Sequence, residues 1–291
     1  MTVFQCKNPT HDWYKCLESG DSPDSKVLKA LLEDWWLKYK PYADSHFCEE
    51  LGRDFHQRVW EMRLGIDLLN MGIELSPHKE KGPDLCFKWQ DKTVWVEAVV
   101  SERGDKEDRV PKVESGIAAE VPEREMILRY TSVLYDKYKK YQKYLDNKLI
   151  QPDDCFIVAI NGFLLGYPDS DDIPYIVKSV YGIGSVFWMY DGSQDKLIDG
   201  GYGHKPEIRK KNDSPISQDT FLNTTYPGTT GIIHSNSAPL STKPIENYLF
   251  IHNMMATNKL PIDLFKNWLH FESSNSNLES YRPADMLLGL Q

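Results

Sequence analysis

Long apolar runs are missing from this chain. No hydrophobic stretch in its 291 residues approaches the roughly 20 needed to cross a bilayer as a helix, and the start Met1-Thr2-Val3-Phe4-Gln5-Cys6-Lys7 lacks the basic-then-apolar order of a signal peptide. A cytoplasmic chain is expected on these grounds, with export that needs no cleaved signal left open. Cysteine is scarce as well: Cys6, Cys16, Cys48, Cys86 and Cys155 are an odd number with no close pair, which argues against a disulfide framework. Cys6, His11 and Cys16 have no CxxC spacing and no evident fourth partner for zinc. Cys86 and Cys155 sit in strand-like runs and read as small buried hydrophobes. Gly-x-Ser-x-Gly and His-Glu-x-x-His are absent, and neither Gly182-Ile183-Gly184 nor Gly200-Gly201-Tyr202-Gly203 leads into a phosphate-binding or dinucleotide fingerprint. An unrelated α/β hydrolase therefore has no identifiable nucleophile. Positive charge is also in deficit, with 34 Lys and Arg against 43 Asp and Glu and a net charge of −9. That counts against holding nucleic acid by bulk electrostatics, while a local basic surface can still bind phosphate.

What is present is a composition suited to a packed core, 41% hydrophobic and 26% charged, and one informative stretch. Gly82-Pro83-Asp84-Leu85-Cys86-Phe87 and Thr93-Val94-Trp95-Val96-Glu97-Ala98-Val99-Val100 are rich in β-branched and aromatic residues, with Gln90-Asp91-Lys92 between them as a turn. If the two runs pair, Asp84 and Glu97 meet. Alternation puts Trp95, Glu97 and Val99 on one face and Val94, Val96, Ala98 and Val100 on the other, core-like face. A buried carboxylate needs a cation, a metal or a raised pKa, and oxygen-rich sites suit Mg²⁺, Mn²⁺ or Ca²⁺. On the residues alone, a strand-end acid paired with an Arg or Lys fits Glu97 equally well.

Helical spacing flanks the hairpin. From about 123 to 147, Met126, Tyr130, Val133, Leu134, Tyr138, Tyr141 and Leu145 form a stripe. Lys137 falls within it and should point toward the sheet, while Lys139, Lys140 and Lys143 lie nearer the flanks. Upstream, 47–71 reads as one helix with Leu51, Phe55, Val59, Met62, Ile66 and Leu69 along one side. Glu61 sits beside that stripe, where pairing with Arg58 or Arg63 is the plain alternative. His56, on the same helix, reads as a surface or structural residue.

Pro83-Asp84 on one strand and Glu97 on the next resemble the PD-(D/E)XK nuclease superfamily, in an order of helix, three strands (the first at Gly72-Ile73-Glu74-Leu75), helix, strand (155–160) that is similar as well. The resemblance covers roughly 47–165. It implies an α/β fold, a restriction-endonuclease-like mixed central sheet flanked by helices with a C-terminal β-rich elaboration. It further implies Mg²⁺ or Mn²⁺ held by Asp84, Glu97 and Glu61, and a phosphodiesterase, most simply a DNA endonuclease of bacterial type. The superfamily's lysine two residues after the second acid is replaced here by Val99. Lys137 is the expected substitute, with Arg129 and Lys140 as substrate-binding cations. The alternative is an inactive nuclease-like module that binds protein or nucleic acid, and a dimer is compatible with either.

Basic clusters at 137–148, with interleaved tyrosines, and at Arg209-Lys210-Lys211 could follow a nucleic-acid strand or simply be solvated. The polar segment 101–122 reads as a long loop beside the cleft. Further strands are expected at 185–190, 230–235 and 248–253, extending the same sheet, and a helix at 261–269. Asn161 reads as turn chemistry, and His234 and His252 as structural strand-end residues. The organisation expected is a helical extension over 1–45, with a helix near 25–40, an α/β domain over 46–272 and a loosely docked tail over 273–291.

Overall fold

The computed structural model of the chain describes residues 2–78, 81–118, 120–169, 173–274 and 277–288. Helices α1 (Asp12–Ser19), α2 (Pro23–Tyr39), α3 (Phe47–Leu51) and α4 (Phe55–Asn70) come first. The strands β1 (Leu85–Trp89) and β2 (Lys92–Val100), the long helix α5 (Glu123–Asp146) and strand β3 (Cys155–Asn161) follow. Helix α6 (Tyr175–Tyr181) leads into β4 (Ile183–Asp191), β5 (Lys196–His204), β6 (Glu207–Arg209) and β7 (Pro215–Ser217). Strands β8 (Gly231–Ser235), β9 (Leu249–His252), β10 (Leu269–Ser274) and β11 (Asn277–Tyr281), then helix α7 (Pro283–Leu288), complete the described elements. None of the described helices is long and apolar enough to cross a membrane.

The fold is α/β around a mixed 7-stranded sheet in the order β1-β2-β3-β8-β9-β10-β11. β1 and β2 form the expected antiparallel hairpin, Leu85 facing Val96 and Trp89 facing Lys92. The turn is one residue shorter than expected because Lys92 joins the ladder, and Gln90 takes a φ of 54° to close it. β2 pairs parallel with β3, and β3 parallel with β8. Every residue of β3 is buried, as a central strand covered on both faces requires. Val94, Val96, Ala98 and Val100 pack with α1 to α4 in one core, while Trp95 joins Phe156, Val158 and Ile160 under α5 and α6 in the other. The alternation read from the sequence therefore assigns both faces of β2.

Helix α2 starts at a capping box of Ser22 and Ser25 with Pro23 in its first turn. Its Trp35, Trp36 and Tyr39 share a core with Trp60 of α4, so α2 packs on α4, which in turn lies against β2.

Several expectations are corrected. The helix over 47–71 is two helices, because the Gly52 carbonyl accepts the amides of Thr10 and His11, each at 3.0 Å, and turns the chain between them. Residues 72–75 make a single bridge, Leu75 to Phe87, and no ladder, which leaves β1 as the edge strand. β4 does not extend the central sheet; it forms a separate hairpin with β5. The expected helix over 261–269 is a run of turns over 262–267, with Phe265 at φ 58°, and Leu269 already belongs to β10. The tail is partly sheet: β10 pairs parallel with β9 and antiparallel with β11, while 275–276 and 289–291 lie outside the described residues. The described part of 101–122 has no helix or strand, yet Val110 is buried and its amide meets the Arg103 carbonyl at 2.9 Å.

Candidate functional site

The hairpin register sets the site. β1 begins at Leu85, opposite Val96, so the last residues of β2 have no strand on that side. A buried strand edge must still satisfy its amides and carbonyls. Three side chains do so. Asp84, just ahead of β1, accepts the Ala98 amide at 2.7 Å. Gln57 of α4 accepts the Val100 amide at 2.9 Å and donates to the Ala98 carbonyl at 3.1 Å. Lys137 of α5 donates to the same carbonyl at 3.2 Å. Elements from both faces of the sheet thus converge on the open end of β2.

Glu97 points to the α5 side and is fully buried. Its Oε1 accepts Lys137 Nζ at 2.9 Å and Lys140 Nζ at 2.6 Å, and its Oε2 accepts the Tyr144 hydroxyl at 3.0 Å. Lys137, Lys140 and Tyr144 stand three and four residues apart, on one face of the helix. Burial pushes the Glu97 carboxyl upward, but the two ammonium groups outweigh it and hold it below the usual range. Lys140 is held above its ordinary value against its own burial by Glu97 and, behind it, Asp84.

Glu61 approaches from the other face, on α4, and is also fully buried. It accepts the Tyr39 hydroxyl at 2.8 Å and Arg58 Nη1 at 2.6 Å. Arg58 also reaches Asp44 at 3.0 Å and pairs with Glu50. Burial, then the charge of Asp84, push Glu61 up to about 8, against the pull of Arg58 and Tyr39. Asp84 lies between the other acids electrostatically. Burial and then Glu97 raise it to about 6, and because part of the residue remains open to solvent, screening tempers that repulsion. Asp84 therefore links two buried acids electrostatically, Glu61 with Arg58 on one face and Glu97 with two lysines on the other.

Beside them lies an open groove of about 890 Å³ lined by Lys81, Lys139, Lys140, Lys143 and Tyr144, with Asp136 as an opposing charge. Lys140 and Tyr144 belong both to this groove and to the Glu97 network.

The expected residues Glu61, Asp84, Glu97, Lys137 and Lys140 are thus brought to one region. Lys140, expected on substrate, holds Glu97 instead. Arg129 stands apart, its Nε donating to the Glu102 carbonyl. His56 packs among His11, Phe55 and Trp13 and is lowered to about 4 by burial and by His11. Asn161 caps its turn by accepting the Phe163 amide at 3.1 Å. His234 Nδ1 meets the Ile160 carbonyl, and His252 meets His270. Gln57, Tyr39 and Tyr144 were not singled out from sequence. Tyr144 falls seven residues after Lys137 on the same helix face, a signal that was available.

Among the described residues, no group of three or more His, Cys, Asp and Glu side chains is gathered closely enough to hold a metal ion. No known protein-family model, curated protein or solved structure matches this chain, and its chemistry is read from its own geometry.

Proposed function

We propose that the chain is a metal-dependent phosphodiesterase that hydrolyses nucleic acid, most simply DNA, on a restriction-endonuclease-like core. The observation that carries this reading is Asp84 on the Ala98 amide at the open end of β2, electrostatically coupled to Glu97 and to Glu61, with Lys137 and Lys140 on Glu97 and a lysine-lined groove alongside.

The donor chemistry fits a hard divalent cation. All the donors are oxygens, and Asp84 and Glu61 are held above their ordinary range first by burial and then by a neighbouring carboxylate, both of which a bound cation would offset. Mg²⁺ is commonly bound by one or two carboxylates with waters and substrate phosphate completing its shell, so Asp84 and Glu97 would hold it, with Glu61 behind them. When bound, Mg²⁺ or Mn²⁺ supplies Lewis acidity toward a phosphoryl oxygen and a lowered pKa for a coordinated water. In this reading Lys137 orients the attacking water and, with Lys140, steadies the negative charge that grows on the phosphoryl oxygens. Lys139 and Lys143 hold the flanking backbone phosphates, and Tyr144 offers a ring at the groove's inner wall.

Cleavage of plasmid and single-stranded DNA in Mg²⁺ or Mn²⁺ tests this. Asp84→Asn and Glu97→Gln should each lower the rate by about 10³-fold or more, and Lys137→Met by about 10²-fold. Full activity in either acid variant would overturn the mechanism.

A second reading has its own support. Both oxygens of Glu97 are already occupied by Lys137, Lys140 and Tyr144, as in a closed structural ion-pair network. That favours a nuclease-like module without catalysis, for which added Mn²⁺ would leave the melting temperature unchanged.

A further inference from the structure

β3 and β8 run parallel, and Asn161 and Ser235 end them side by side. At this end His234 is buried beneath α5, where the Tyr130 ring meets it edge-on at 5.3 Å. His234 Nδ1 lies 3.0 Å from the Ile160 carbonyl. A carbonyl only accepts, so Nδ1 carries the proton and Nε2 of the neutral ring presents a lone pair. Nε2 is buried and has no hydrogen-bond partner among the described residues. It faces another acceptor, the Asp169 carboxylate, whose Oδ2 stands 3.8 Å away. Asp169 is itself held in place: Oδ1 accepts the Tyr175 amide at the start of α6 at 3.0 Å, and Oδ2 accepts the Asn236 side-chain amide. Asn236 Oδ1 in turn accepts the Tyr130 hydroxyl at 3.3 Å.

Two acceptors fixed face to face in a buried place repel unless a positive group stands between them. A gap of 3.8 Å is too long for a direct hydrogen bond. Metal–nitrogen and metal–oxygen bonds of about 2.0–2.2 Å together span up to about 4.2 Å, so a cation set slightly off the line fits with neither group moved. We propose that His234 and Asp169 form a structural site for a divalent cation of the Zn²⁺ class, which ties the start of α6 to the end of β8. An imidazole nitrogen selects Zn²⁺ over Mg²⁺ or Ca²⁺, and a backbone carbonyl on the other ring nitrogen is the usual support of a metal-binding histidine. Turning the Asn236 amide exchanges Nδ2 for Oδ1 and brings a third donor to the cation, while Nδ2 then donates to the Tyr130 hydroxyl. Water completes the shell. The site lies two strands from Glu97 and does not depend on the chemistry proposed there.

Isothermal titration with Zn²⁺ of the full chain carrying Asp84→Asn and Glu97→Gln, which takes the acid site out of the count, tests this. Saturable binding of about one equivalent is expected, with Mn²⁺, lowest in the Irving–Williams order, at least about tenfold weaker. Adding His234→Ala or Asp169→Asn should each weaken Zn²⁺ at least about tenfold. Asp169→Asn keeps an oxygen for the Tyr175 amide, so it separates loss of the cation from loss of the fold. Asn236→Asp supplies an anionic third donor and should tighten Zn²⁺ by about tenfold. Absence of Zn²⁺ binding in the parent overturns the proposal. So does binding that persists undiminished with both His234→Ala and Asp169→Asn, which would lie elsewhere on the chain.

Discussion

Glu61 is the residue whose titration should be easiest to see. Its carboxyl is raised from an ordinary 4.5 to about 8, so between those values the folded chain keeps a proton that the unfolded chain gives up. Stability therefore falls as pH rises through this window. Asp84 adds a similar fall between 3.8 and about 6. Glu97 works in the opposite sense: it is held below its ordinary range, and the stability it contributes is lost on acidification. Glu61→Gln should flatten the decline between pH 5 and 8 and raise the melting temperature at pH 8 by about 2–4 °C, the shift expected for roughly 1 kcal/mol. Arg58 keeps Asp44 and Glu50 in that variant. A steeper decline in calorimetry at several pH values would contradict this.

Lys137 and Lys140 can be separated at the same scale. Either one, with Tyr144, still answers the charge of Glu97. Single changes to Met should cost on the order of 1 kcal/mol, while the double change strands a buried carboxylate and should cost about 3–5 kcal/mol. A double-mutant cycle by urea unfolding reads this as non-additivity, and additive losses would show that the lysines act independently. Lys137 was legible in the sequence because it falls inside an apolar helical stripe. Lys140 reads as a flank residue beside the apolar stripe, although its spacing of three from Lys137 already puts both lysines on one helix face.

Among the elements, the open end of β2 is the determining feature. Gln57 substitutes there for a missing strand, and Gln57→Ala leaves the Val100 amide without its partner. A loss of about 1–3 kcal/mol is expected, with faster hydrogen exchange at Val100; an unchanged exchange rate there would show that the edge is satisfied in another way. The hairpin, α5 and β3 could be read locally because alternation and helical periodicity are local patterns. The break between α3 and α4 could not, because it depends on the amides of Thr10 and His11, some 40 residues upstream, reaching the Gly52 carbonyl. β10 is hidden for another reason: Leu269–Ser274 is short and mixed in polarity, so it carries little strand signal of its own although it pairs with both β9 and β11. The β4 run reads as a core strand because residues 185–190 are aromatic and uncharged, yet it pairs with β5 in a separate hairpin.

For the whole molecule, a net charge of −9 coexists with a groove whose wall holds several lysines. Binding of DNA through that groove should therefore be salt-sensitive with a modest slope, set by a few phosphate contacts. The α/β sheet places α4 and α5 on opposite faces of β2, so Asp84 at the strand end is coupled to Glu61 on one face and to Glu97 on the other. The metal-binding reading rests on that coupling. Isothermal titration of the wild type and the Asp84→Asn/Glu97→Gln double variant with Mn²⁺ at pH 7.5, where Asp84 is ionised, tests it most directly. Saturable binding in the wild type and none in the variant is the expected result, while no binding in either, or equal binding in both, would contradict a metal site at the end of β2.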